Sequence, residues 1–220
     1  MKKVIIILSA VILFAACKKT DINGNTYYYT GGGSKPTVTE CPIDTTQLAF
    51  KSIDTLYTVN SLNKNLQNFS VSFWMKTTQK DSSINFPNFT FIIDRDVFGP
   101  QDDWSIGLFK GGYIAAHGGH TEGNMLVTKT QYNDNVYHHV VVIYNPSSSK
   151  RFIYVDNKIE NTDSTLNNFT FTNTTTPVSI GQSSVEPAKH KNFIGNLKNI
   201  RIYSKPLSAC EVQYLYNIKP

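Results

Sequence analysis

Phe69-Ser70-Val71-Ser72-Phe73-Trp74-Met75-Lys76 is the stretch that decides the fold. Apolar residues at 69, 71, 73 and 75 alternate with Ser70, Ser72 and Lys76, the period of two that puts one apolar set on a single face of an extended strand. Working outward, short runs of the same kind are readable at Phe89–Ile93, Trp104–Phe109, Tyr113–Ala116, His138–Tyr144, Phe152–Val155, Val178–Ile180 and Leu197–Tyr203. Clusters of Asn, Gly, Ser, Thr and Pro separate them, helical periodicity is nearly absent, and there is no internal repeat. Lys110-Gly111-Gly112 and Asp156-Asn157 offer residues that tolerate positive φ and read as hairpin turns. Many short strands with frequent turns predict an all-β sandwich or barrel.

The N-terminal flank is of another kind. Met1-Lys2-Lys3 precedes an apolar run from Val4 to Ala16 broken by Ser9 alone, a charged n-region and a short h-region. The run is shorter than the roughly 20 residues a spanning helix needs. It ends in Leu13-Phe14-Ala15-Ala16-Cys17, which resembles the lipobox of bacterial lipoproteins, with Phe14 in place of the more usual leucine. The resemblance implies a removable signal over residues 1–16, lipidation of Cys17, and a membrane-anchored protein of the bacterial cell envelope. Residues 17–40, rich in Lys, Asn, Thr, Tyr and Gly, read as a flexible tether, with Tyr27-Tyr28-Tyr29 as unstructured aromatic decoration. Residues 41–220 are left for one domain.

The formal charge of +5 becomes 5 − 2 = +3 without Lys2 and Lys3. Lysine and arginine are scattered, and neither a basic stripe nor a zinc-finger or helix-turn-helix spacing points to nucleic acid.

Three segments carry a family likeness: 69–76, then Tyr137-His138-His139-Val140-Val141-Val142-Ile143-Tyr144-Asn145, then Phe152-Ile153-Tyr154-Val155-Asp156-Asn157-Lys158. Together with Ile180-Gly181, Phe193 to Tyr203 and Leu207-Ser208-Ala209-Cys210-Glu211, they resemble the laminin G-like members of the concanavalin A-like lectin and glucanase superfamily. Tyr137 stands where that family commonly has tryptophan, and Asn157 where its hairpin commonly has glycine. The resemblance covers roughly residues 46 to 217. It implies a two-sheet antiparallel jelly-roll sandwich with a short C-terminal helical turn and with its termini close together. That closeness, in an oxidising compartment, implies a Cys41–Cys210 disulfide.

Glucan-hydrolysing relatives carry E-x-D-x-x-E on one strand, because retaining hydrolysis needs two carboxylates about 5 Å apart. The chain lacks that spacing, Asp94-Arg95-Asp96 being the nearest approach, so the expectation is a protein that is not an enzyme. His117-Gly118-Gly119-His120 with Glu122 offers metal ligands without a tetrahedral set nearby. Asp94 to Trp104 gathers four aspartates around a Gly-Pro turn, donor chemistry that suits calcium but without EF-hand spacing. His138 and His139 read as packed or hydrogen-bonded histidines, and His190 as a polar-loop residue.

The expected function is a membrane-anchored, non-catalytic, carbohydrate-binding lipoprotein, with the outer membrane as its site. The alternatives are an adhesion or scaffold module binding another protein and, more distantly, a glycoside hydrolase. Function on a rigid sandwich belongs to its connections. Asp94 to Asp103 and His117 to Asn124 are the richest, and the Trp104–Ala116 hairpin brings both to one edge. Asp96, Asp102, Asp103, His117 and His120 offer partners for sugar hydroxyls, and Tyr113 a ring for the apolar sugar face.

Overall fold

The alternation at 69–76 is realised in the middle of a sheet. The structure, a computed structural model, describes residues 67–83, 88–95, 103–118, 124–166 and 177–219 with their side chains, and four more strands as backbone alone. Among the described residues the strands are β1 Cys17–Thr20, β2 Thr26–Tyr29, β3 Leu48–Ile53, β4 Tyr57–Val59, β5 Phe69–Lys76, β6 Thr90–Arg95 and β7 Trp104–Phe109. They continue with β8 Tyr113–Gly118, β9 Met125–Gln131, β10 His138–Asn145, β11 Lys150–Val155, β12 Lys158–Asp163, β13 Val178–Ile180 and β14 Asn196–Tyr203, and one helix, α1, covers Ala209–Asn217.

The chain divides into two units, Met1–Cys41 and Pro42–Pro220. In the first, β1 and β2 pair antiparallel with Cys17 opposite Tyr29, so the segment read as a spacer contains a two-stranded ribbon. In the second, two six-stranded sheets run in the orders β12-β11-β10-β5-β14-β3 and β4-β13-β6-β7-β8-β9. Every pairing is antiparallel. This is the expected jelly-roll sandwich, and all eight strands read from the sequence lie inside the sheets.

The core fills the space between the sheets, with Phe69, Val71, Phe73 and Met75 of β5 meeting Ile93, Trp104, Ile106, Ile114 and Ala116 of the facing sheet. Phe69 stacks on Tyr144 at 4.5 Å between ring centroids and lies 5.0 Å from Trp104. It thereby ties one end of the first sheet, where Phe69 is opposite Tyr144, to the end of the second where Trp104 is opposite both Arg95 and Gly118. We call this the upper end. The lower end carries Lys76, Phe109, Tyr113 and His138.

The domain's first and last strands are neighbours: β3 pairs with β14, Leu48 opposite Ile202. α1 then starts at a capping box, in which Ser208 Oγ accepts from the Glu211 amide while Glu211 accepts from the Ser208 amide. That satisfies two of the amides a helix start leaves open. Val212 and Leu215 are buried, and Tyr216 stacks on Trp74 on the outer face of β5, so α1 runs from the upper towards the lower end. Cys210 in its first turn is disulfide-bonded; Cys41 lies outside the described residues. Among the described residues no helix is long and apolar enough to cross a membrane.

Candidate functional site

In the second sheet Ile93, Ile106, Ala116, Leu126 and Ile180 point into the core, so their strand neighbours point away from it. At the upper end the register lines those outward residues up across five strands: Ser179 opposite Asp94, Asp94 opposite Ser105, Ser105 opposite His117, His117 opposite Met125. The result is a polar row on a sheet face. It is nonetheless buried, with Asp94 and Ser105 at 0% exposure and His117 at 2%. Buried polar groups of this kind persist only when hydrogen-bonded. Asp94 meets that demand by accepting from Ser105 Oγ with one oxygen, and from the Ser184 amide at 2.6 Å and its hydroxyl at 2.9 Å with the other. The segment after β13 is thus clasped to the row. Asp103, also buried, places Oδ1 3.7 Å from His117 Nδ1.

A second row lies one step lower on the same face: Phe91, Gly107, Ala115 and Val127. The small pair in its middle leaves a trough that the Phe89 ring fills. A Cβ on Gly107 would stand 1.9 Å from Phe89 Cδ2, so only glycine fits there. Phe89, Phe91, Phe109 and Ala115 form a small apolar cluster with Met125 and Val127 against it, and His190 meets the Phe91 ring edge-on at 5.1 Å.

Behind the row, between the sheets, stands Arg151 of β11, with no exposure. Its guanidinium donates to Ala116 O at 3.1 Å, to Asn124 O at 2.9 Å and Oδ1 at 2.8 Å, and to both oxygens of Asp163. Tyr144 Oη donates to His117 O at 2.9 Å. A buried arginine and a tyrosine of one sheet therefore hold, in the other, the two strand ends between which residues 119–123 run.

The structure brings two of the expected ligand residues together, Asp103 and His117. It moves His117 from a loop into β8, because pairing continues past Ala116 to Gly118 opposite Trp104. Tyr113 does not join them: it is at the other end of β8, opposite Phe109, and four residues of strand separate it from His117 by about 13 Å. Asp96, Asp102, His120 and Glu122 lie outside the described residues. Among the described residues no three His, Cys, Asp or Glu side chains converge as a metal site. Ser105, Ser179, Ser184 and Arg151 escaped the sequence reading. Each is ordinary by itself, and only the register makes a row of them.

Residues 51–213 match the concanavalin A-like lectin/glucanases superfamily. The chain belongs to that superfamily. No protein of curated function matches this concanavalin A-like chain in sequence. Among solved structures it is similar to the CBM40 of the Ruminococcus gnavus IT-sialidase bound to α2,3-sialyllactose, at TM-score 0.62 and 15% identity, covering 77% of this chain and 98% of that one. It is also similar to a heptameric SAP-like pentraxin from Limulus polyphemus (TM-score 0.52, 12% identity, 77% and 75% covered). A third is the botulinum neurotoxin DC binding domain in complex with rat synaptotagmin II (0.51, 16%, 91% and 50%). At these identities the likeness is one of fold.

Proposed function

We propose that this concanavalin A-like domain binds a carbohydrate without cleaving it, at the upper end, while lipidated Cys17 holds the protein on a bacterial membrane, the outer membrane by preference. The observation that carries the reading is the row Ser179, Asp94, Ser105 and His117 with Asp103 beside it. Recognising hydroxyl groups needs donors and acceptors held at fixed positions beside apolar surface. The row has both, but it is covered. We assign the ligand-contacting groups to residues 96–102, which link β6 to β7 within the row, and 119–123, which link β8 to β9 at its end; the row and Arg151 fix the strand ends from which those segments start. The Ruminococcus gnavus module of this fold, bound to sialyllactose, supports the ligand class. The missing E-x-D-x-x-E spacing supports binding without hydrolysis.

A glycan array probed with residues 18–220, with and without calcium, tests the proposal. Isothermal titration then compares Asp102→Ala/Asp103→Ala and His117→Ala/His120→Ala with the parent, with melting curves to verify folding. A bound glycan and weaker binding by at least one folded variant are expected. No glycan at any calcium level would turn the reading towards a protein-binding module, and release of reducing sugar would make the protein a hydrolase. For the anchor, mass analysis of the membrane fraction should find an acylated N-terminus at Cys17. A lipid-free mature chain starting elsewhere would refute it.

A further inference from the structure

The lower end has the opposite character to the upper. Among the described residues the exposed large apolar side chains are Val136, Ile159, Ile194, Tyr214 and Ile218. Ile159 is the second residue of β12, opposite Tyr154, Ile218 follows the lower end of α1, and Val136 and Ile194 flank Thr77 just past β5, so four of the five lie at this end.

Ile194 is 71% exposed, yet its backbone is fully engaged: its amide donates to Gln79 Oε1 at 2.8 Å and its carbonyl accepts from Thr77 Oγ1 at 2.6 Å. Thr77 also accepts the Asn135 amide at 3.0 Å, and the Val136 amide donates to Asp134 Oδ1 at 3.0 Å. Thr77 thus holds both segments, Ile194 through its hydroxyl and Asn135, the residue before Val136, through its carbonyl, and the amides of Val136 and Ile194 are already hydrogen-bonded. Such tips enter an apolar phase without stranding those amides, and little freedom is lost in ordering them.

Cations surround them. The Tyr137 ring lies under two ammonium groups, Lys198 Nζ at 4.7 Å and Lys76 Nζ at 5.3 Å from its centroid. Lys80 and Lys191 are exposed on the same rim. Of the nearby carboxylates, Asp134, half exposed, and Asp156 share His138, while buried Asp81 accepts from the Ser83 and Thr90 amides and lies 3.9 Å from Lys191 Nζ, which leaves Lys76, Lys80 and Lys198 as the remaining rim cations.

We propose that the lower end docks on an anionic phospholipid surface, Ile194 and Val136 entering the headgroup layer while Lys76, Lys80 and Lys198 meet the phosphates. Isolated aliphatic tips ringed by lysine suit acyl chains beneath anionic headgroups, whereas the core of a protein interface is depleted of lysine. This contact is independent of any lipid on Cys17 and of the glycan proposal, and it turns the upper end away from the membrane.

The test is co-sedimentation of residues 18–220, which contain the whole 42–220 unit, with phosphatidylglycerol-containing vesicles and with pure phosphatidylcholine vesicles. Binding to the anionic vesicles is expected, falling at least about tenfold in Val136→Ser/Ile194→Ser. In Lys76→Gln/Lys198→Gln it should fall about twenty-five-fold, near fivefold for each lysine. All the substituted side chains are at least partly exposed, so the variants should fold, and unchanged circular dichroism verifies it. Equal binding to both vesicle types, or variants that sediment like the parent, would overturn the proposal. The latter result would assign any attachment to another part of the chain, such as Lys18-Lys19.

Discussion

His138 places Nδ1 2.7 Å from Asp156 and Nε2 3.0 Å from Asp134, and these contacts, that with Asp156 first, hold its proton above the ordinary imidazole range. Its neighbour His139 points to the outer face, where Ser72 Oγ lies 2.9 Å from Nε2 and the Trp74 ring is 5.1 Å away; burial there pushes its pKa down to about 4. The two therefore act on stability in opposite directions. The contribution of His138 is full below the unfolded value of about 6.5 and is lost as pH rises through its raised folded value. That of His139 is full above about 6.5 and is lost as pH falls towards its folded value. Asp134 and Asp156 act lower still. Burial works to raise them, but hydrogen bonds from His138 and from the backbone hold both below 3.8, so their contribution disappears only in strong acid. The melting temperature should peak near about pH 6.5. His138→Asn should flatten the alkaline flank and His139→Asn the acid one. Melting curves across this range in which both flanks keep their slopes in the variants would contradict the assignment.

Gly107 matters at the scale of the strand, because β6 and β8 flank it and the Phe89 ring takes the place of its side chain. Gly107→Ala would also bring Cβ to 2.5 Å from the Thr90 carbonyl, so a movement of the Phe89 ring would not by itself relieve the clash. A loss of about 2 kcal/mol or more in urea denaturation is expected, partly recovered in a Phe89→Leu background. An unchanged midpoint would mean that the ring does not occupy the trough. Strands show the same divide between what sequence does and does not reveal. The eight that were readable are β5, β6, β7, β8, β10, β11, β13 and β14, all interior to their sheets. The unread ones in the domain, β3, β4, β9 and β12, are the four edges. Interior strands lie between two neighbours under cover, so Val140 to Tyr144 is an unbroken buried run. An edge such as Lys158-Ile159-Glu160-Asn161-Thr162-Asp163 faces water and takes the polar residues that discourage further pairing, which erases its periodicity. Asp103 and His117 were legible as chemically able residues. Their association with Asp94, Ser105 and Ser179 was not, because a row perpendicular to the strands exists only once register is known. Tyr113 was misplaced for a different reason: it follows the Lys110-Gly111-Gly112 turn, a full strand length from the loops at the hairpin's open end.

For the molecule as a whole, the pairing of β3 with β14 sets both ends of the domain at one corner. We propose Cys41 as the partner of disulfide-bonded Cys210. Cys41 lies seven residues before Leu48, and Cys210 eight after the Ile202 that Leu48 faces. Closing so long a loop stabilises by about 4 to 5 kcal/mol in the loop-entropy account, an upper value in practice. A non-reducing peptide map should recover the two cysteines joined, and Cys41→Ser should melt earlier than the parent. A map with Cys41 free would refute the pairing.

The position of β14 has a further consequence in time. Among the described residues it is the last strand in chain order, yet it sits between β3 and β5, so the first sheet remains in two pieces until residue 203 is available. A ribosome or a translocation channel that delivers the chain N-terminus first cannot release a closed sandwich before Tyr203 has passed. Contacts that distant in sequence form slowly. Threading as an extended polymer is thereby kept open until β14 has been delivered, and the same strand that completes the sheet then ends that window.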